Sequence, residues 1–195
     1  MPNWCSNKIK IIGKPEKIVK FLNQIKEKCE DGSEKALSFY KIMPEPQTKE
    51  ECPEQYIIET SEDKEKAGIQ EAEGRPWFNW YEWHNNEWGC KWDCIEVSEV
   101  PSAEDIVKNQ MTEINIYYET PWGPAIGIMK HLLSQEEIYD LQFEFMYFEP
   151  GMGFMGEMSN QGEYEEEYVE VEDEETGEYH GDEKTQAFID EFYEQ

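Results

Sequence analysis

The chain reads as an α+β protein on the ferredoxin-like, split β-α-β plan. Three observations predict this. A short strand at Lys8–Ile12 runs into an amphipathic helix from Pro15. A later strand at Glu113–Glu119 alternates Ile114, Ile116 and Tyr118 with Asn115 and Tyr117, and a second helix follows it. A third strand then places Leu141, Phe143, Phe145 and Tyr147 on one face. The plan is a sandwich of sheet and helices with an inserted Trp-rich segment and an acidic C-terminal hairpin and helix.

Each element has a local reason. Gly13 ends the first strand, and Pro15 suits the first position of a helix. Ile18, Val19, Phe21, Leu22 and Ile25 recur at helical period, and Asp31-Gly32 stops the helix. Ala36–Met43 reads as the next strand, ended by Pro44 and Pro46. Residues 44–93 read as an insertion: an acidic loop with a short helix near Ser61–Ile69, then a helix over Trp77, Trp80 and Trp83. Cys94–Val100 reads as a short strand. Thr120–Pro124 is a turn, and Ala125, Ile126, Met129, Leu132 and Leu133 give the second helix its apolar face. Glu149–Gly153 turns the chain, Phe154–Met158 returns, and Glu163–Val171 completes a hairpin. Lys184–Glu194 reads as a last helix, with Phe188/Phe192 and Ile189/Tyr193 at i+4. The expected organisation is one domain over 1–160 with an acidic extension, 161–195, packed on it.

Charge narrows the function. The 195 residues carry 17 Lys and Arg against 45 Asp and Glu, a net charge of −28. Such a chain is repelled by bare nucleic acid and by anionic membranes, so its expected partner is a protein with a basic surface. The charge is uneven: residues 1–28 hold seven Lys and two Glu, whereas 157–195 hold sixteen acids and one Lys. No apolar run is long enough for a membrane span, and the start lacks the pattern of a secretory signal. Five scattered Cys suit free thiols in a reducing cytoplasm.

Four short motifs add a family likeness. They are Pro2-Asn3-Trp4-Cys5-Ser6-Asn7, Trp88-Gly89-Cys90-Lys91-Trp92-Asp93, Thr120-Pro121-Trp122-Gly123-Pro124, and Tyr147-Phe148-Glu149-Pro150-Gly151 with Phe154-Met155-Gly156. In this order, over roughly residues 2–157, the chain resembles the YubB ferredoxin-like family of phage, prophage and plasmid proteins. Cys90 stands where that family usually has Thr. The resemblance implies the fold and a mobile-element origin, and with the free thiols the expected location is the cytoplasm of a bacterial host. It implies no activity.

Two groups of residues are candidates for function. Trp88, Lys91, Trp92, Asp93, Trp122 and Glu149 form the family-like set. Gathered together they make an aromatic pocket with one cation and two carboxylates, suited to a small ligand or to catalysis. The same residues also suit a core whose indoles find partners, with Lys91–Asp93 or Lys91–Glu149 as an ion pair. The second group is the acidic run Glu163, Glu165, Glu166, Glu167, Glu170, Glu172, Asp173, Glu174 and Glu175. Same-side residues of a strand repeat at about 7 Å. Glu163, Glu165 and Glu167 can therefore present spaced negative charge resembling a phosphate backbone, or the acid serves solubility alone. The first expectation is a non-enzymatic accessory protein, monomeric or a small homo-oligomer, that binds and inhibits a host protein by nucleic-acid mimicry. The alternative is a ligand-binding or catalytic module.

No cofactor or metal is expected. Cys90 and Cys94 lie at a spacing unlike that of zinc ribbons, with His84 nearby. His131 falls on a helix and His180 in the acidic loop. Gly151–Gly156 matches the dinucleotide fingerprint by letter, but sits in a hairpin rather than between a strand and a helix.

Overall fold

A computed structural model of the chain describes residues 3–29, 32–59, 71–72, 74–160, 165–168 and 183–193. Its centre is an antiparallel five-stranded sheet of β1 (Trp4–Gly13), β6 (Glu113–Pro121), β7 (Leu141–Glu149), β8 (Phe154–Ser159) and β9 (Glu165–Tyr168), in the order β6-β1-β7-β8-β9. Strand β1 is antiparallel to both β6 and β7, with Ile9 opposite Ile116 and Phe145. Strands β6 and β7 are therefore parallel to each other. They are joined through α5 (Ile126–Ser134) and α6 (Glu136–Tyr139). This is a split β-α-β unit with β1 lying between its two strands, and the fold is ferredoxin-like.

Alternation sets the two faces of the sheet. Ile9, Ile11, Ile114, Ile116, Tyr118, Leu141, Phe143, Phe145 and Tyr147 are buried on one face. Helix α1 (Pro15–Ile25) buries Ile18, Phe21, Leu22 and Ile25 in the same core, and α5 buries Ile128, Met129 and Leu132. Each such side chain contributes about 1.5–3 kcal/mol. The second face holds Lys8, Met146, Phe148 and Met155, all buried. The last helix, α7 (Glu183–Tyr193), packs there: Phe192 lies 5.9 Å from Tyr117 between ring centroids. The Lys8 ammonium donates to the Glu191 carbonyl at 2.8 Å, a cation at the carbonyl end of a helix.

Several elements depart from the local pattern. Ala36–Met43 is not a strand. Glu27–Lys28 (β2) and Glu34–Lys35 (β3) form a small ribbon, and Phe39–Ile42 is a helical turn, α2. Its start is held by Asp93, whose Oδ1 accepts from the Phe39 N–H at 2.7 Å across 54 residues. That long-range anchor overrides the strand propensity of the segment. The aromatic run is half helix. Arg75–Asn79 (β5) pairs with Glu71–Ala72 (β4), and the Ile58 N–H donates to the Trp77 carbonyl at 2.8 Å. Asn79 then accepts from the Glu82 N–H at 3.3 Å and starts α3 (Trp80–Trp83), so the helix begins at Trp80 rather than Trp77. A π-helix, His84–Trp88, continues it.

Cys94–Val100 is not a regular strand: Glu96 has a φ of 46°, and the segment meets the sheet through the Ile95–Glu119 bridge and a pair of bonds between Ser98 and Tyr117. A short helix not read from the sequence, α4 (Ala103–Lys108), starts at Ser102, whose Oγ accepts from the Asp105 N–H at 3.1 Å. The expected helix at 61–69 lies outside the described residues. No helix among the described residues is long and apolar enough to cross a membrane.

Candidate functional site

Trp88 is fully buried. The π-helix turns it inward, where its Nε1–H donates to the Met43 carbonyl at 2.9 Å and its ring stacks on His84 at 3.8 Å and 11°. Gly127 makes room for this packing, since a Cβ there would collide with the Glu87 carbonyl oxygen. Asp93 accepts four N–H, O–H and ammonium bonds, and the Cys94 thiol lies 3.5 Å from its Oδ1. Oδ1 accepts from the Phe39 and Cys94 N–H groups at 2.7 and 2.9 Å, and Oδ2 from Ser38 Oγ and Lys35 Nζ at 3.0 and 2.8 Å. Its cationic partner is therefore Lys35, not Lys91.

Glu149 is also buried, at the end of β7. It accepts from the N–H groups of Gly151 and Met152 and so organises the β7–β8 turn. A Cβ at Gly151 would lie 2.9 Å from Asn3 Nδ2 and 3.0 Å from Glu149 Oε1, so a side chain there would require these two side-chain ends to shift. The Thr120–Pro124 motif meets the first family-like motif, because the Trp122 N–H donates to the Asn3 carbonyl at 2.8 Å. Trp122 is 51% exposed and has a φ of 72°. A bulky residue in that left-handed region is strained.

The six candidates thus fall into two frames. Trp88, Lys91, Trp92 and Asp93 belong to the layer around α2 and the π-helix. Trp122 and Glu149 belong to one end of the sheet. No polar contact joins the two frames among the described residues. A groove of about 430 Å³ lies between α1 and residues 97–106, and smaller or more open hollows flank Phe192 and the start of β7. None of these three is lined by any of the six. What the set leaves accessible is aromatic: Trp92 and Trp122 are exposed, and the Lys91 ammonium lies over the Trp92 ring.

A second buried network escaped the sequence reading. His84 Nε2 is 2.7 Å from Glu45 Oε1, and Arg75 pairs with Glu45 Oε2 and donates to the Pro46 carbonyl at 2.6 Å. His84 Nδ1 faces the Lys91 carbonyl at 2.9 Å. A carbonyl only accepts, so Nδ1 carries a proton. Burial pushes the Glu45 carboxyl up, but the hydrogen bonds and charge of His84 and Arg75 outweigh it and hold the group below its ordinary value. Glu45 is 39 residues from His84 and 30 from Arg75. The one local hint is that Pro44 and Pro46 fix the backbone on either side of it.

The buried Cys90 and Cys94 thiols each donate to a carbonyl. Cys90 Sγ donates to Trp92 O at 3.2 Å and Cys94 Sγ to Leu37 O at 3.3 Å. Burial and then the charge of Asp93 push both thiols up, which keeps them protonated. Among the described residues, no group of three or more His, Cys, Asp and Glu is placed to hold a metal ion.

Of the acidic run, Glu165, Glu166 and Glu167 lie in β9, the last strand of the sheet, opposite Glu157, Gly156 and Met155. Glu163, Glu170, Glu172, Asp173, Glu174 and Glu175 lie outside the described residues.

A family model described as the ferredoxin-like domain in Api92-like protein matches residues 103–189. That span runs from α4 into α7 and contains the whole split β-α-β unit. The chain is thus a ferredoxin-like α+β protein. No curated protein and no solved structure matches it.

Proposed function

We propose that this chain is a non-enzymatic accessory protein of a phage or other mobile element that binds and inhibits a host protein with a basic, nucleic-acid-binding surface. The observation that carries the reading is dense negative charge, part of it on the central sheet. The chain has a net charge of −28, and three consecutive glutamates occupy the edge strand of its central sheet. The strand places Glu165 and Glu167 two residues apart, about 7 Å along it. A nucleic-acid duplex likewise presents dense, regular negative charge to a basic groove. The carboxylates that an enzyme would use, Glu45, Asp93 and Glu149, are instead bonded to neighbouring backbone and side chains, which also supports a binding role.

Such attraction is long-ranged and weakens with salt. The tagged protein, passed through bacterial lysate at low salt, is expected to retain a basic nucleic-acid-binding protein that high salt releases. Duplex DNA should then compete with it for that purified partner. Salt-insensitive capture, or a partner that binds DNA and this protein together, overturns the reading.

A further inference from the structure

One cation is held over two solvent-facing rings. Trp92 is 40% and Tyr81 45% exposed, and Lys91 Nζ lies 4.4 Å from the Trp92 centroid and 5.3 Å from that of Tyr81. The position of this ammonium marks where the two π faces accept positive charge.

The ledge is fixed from behind. The Lys91 carbonyl meets His84 Nδ1, the Trp92 carbonyl accepts from Cys90 Sγ, and Asp93 is tied to α2. Aromatic side chains on such a frame lose little freedom on binding. Tyr40 packs edge-on against Trp88 and His84. Burial, and then the carboxylates of Glu45, Asp93 and Glu27, push its hydroxyl up to about 12.

We infer that Trp92 and Tyr81 form a receptor for an arginine side chain of a basic partner protein, and that Lys91 is an internal placeholder which swings aside when the guanidinium arrives. Arginine is favoured over lysine because its planar, weakly hydrated head stacks on aromatic faces. The inference rests on the proposed function, since it supposes a basic partner. The reverse arrangement, in which Lys91 attracts an acidic partner, predicts the opposite effect of removing the lysine.

The full chain is titrated with a tetra-arginine peptide at about 150 mM salt, where distant charges are screened. The indole N–H resonance of Trp92, assigned by its loss in Trp92→Phe, is followed. It should shift saturably. Lys91→Ala should tighten binding about two- to five-fold, because the competing cation is gone. Trp92→Ala, read from the Tyr81 ring resonances, and Tyr81→Ala, read from the Trp92 indole, should each weaken it by a similar factor.

Lys91 contributes only its carbonyl to the frame, so Lys91→Ala is expected to keep the wild-type amide spectrum. Unchanged or weaker binding by Lys91→Ala overturns the inference, as does a Trp92 resonance that does not saturate. Binding of tetra-glutamate that requires Lys91 also overturns it. A peptide result of this kind with an intact salt-labile partner removes the ledge alone. A saturable ledge with no such partner removes the proposed function and leaves the ledge a cation receptor.

Discussion

Glu45 shows what a buried carboxylate does when two cationic partners converge on it. His84 and Arg75 hold it below its ordinary value of 4.5 against the cost of burial. The sign follows from linkage. A group whose folded value is depressed contributes stability that is fully present above its unfolded value and is lost as pH falls through the folded one. Glu45→Gln removes this contribution and leaves Arg75 and His84 without a charged partner. It should cost about 1–3 kcal/mol at neutral pH. The gap from wild type should narrow as the solution is acidified below pH 4.5. Urea unfolding of both proteins at neutral and acid pH measures it, and a gap independent of pH would mean that another group carries the acid limb.

At the scale of elements, the tightest joint is between the π-helix and α5. Gly127 lets the two backbones meet, and an added methyl there strikes a carbonyl oxygen rather than a pliable side-chain end. Gly127→Ala should therefore cost about 1–3 kcal/mol through forced backbone shifts. It should also weaken the near-ultraviolet circular dichroism of the Trp88–His84 stack. A native spectrum with an unchanged melting temperature would show that the joint has slack.

This joint also marks how far the sequence could be read. Helix α1, β6, β7 and the hairpin strand β8 were legible because their signals are local: a proline at a helix start, alternation, and an apolar stripe. Serine at 102 and aspartate at 105 were a readable cap for α4, but the helix is short and only Ile106 is buried. Helix α2 was not legible, since Asp93, which starts it, lies 54 residues away. The site was legible by residue type but not by grouping. Trp88, Asp93 and Glu149 were singled out as chemically special, yet what each one bonds is decided by parts of the chain far from it. The Glu45–His84–Arg75 network left almost no local trace for the same reason.

For the whole molecule, one variable should act on folding and binding with opposite signs. A charge of −28 on 195 residues repels itself, and the compact state feels that repulsion more than the unfolded chain does. The pairs of Lys10 with Glu113 and Glu144, at 3.6 and 3.7 Å, are partly exposed and offset little of it. Added salt shortens the reach of these charges from about 30 Å at 0.01 M to about 3 Å at 1 M. Sodium chloride should therefore raise the melting temperature by several degrees over that range, while the same salt loosens a basic partner. Differential scanning fluorimetry measures the first effect, and the second is read in the partner complex. A melting temperature that falls with salt would show that attractive pairs, not self-repulsion, dominate the electrostatics of the fold. The acidic surplus would then serve binding without a cost to stability, and charge reversal along β9 would weaken the complex without stabilising the free protein.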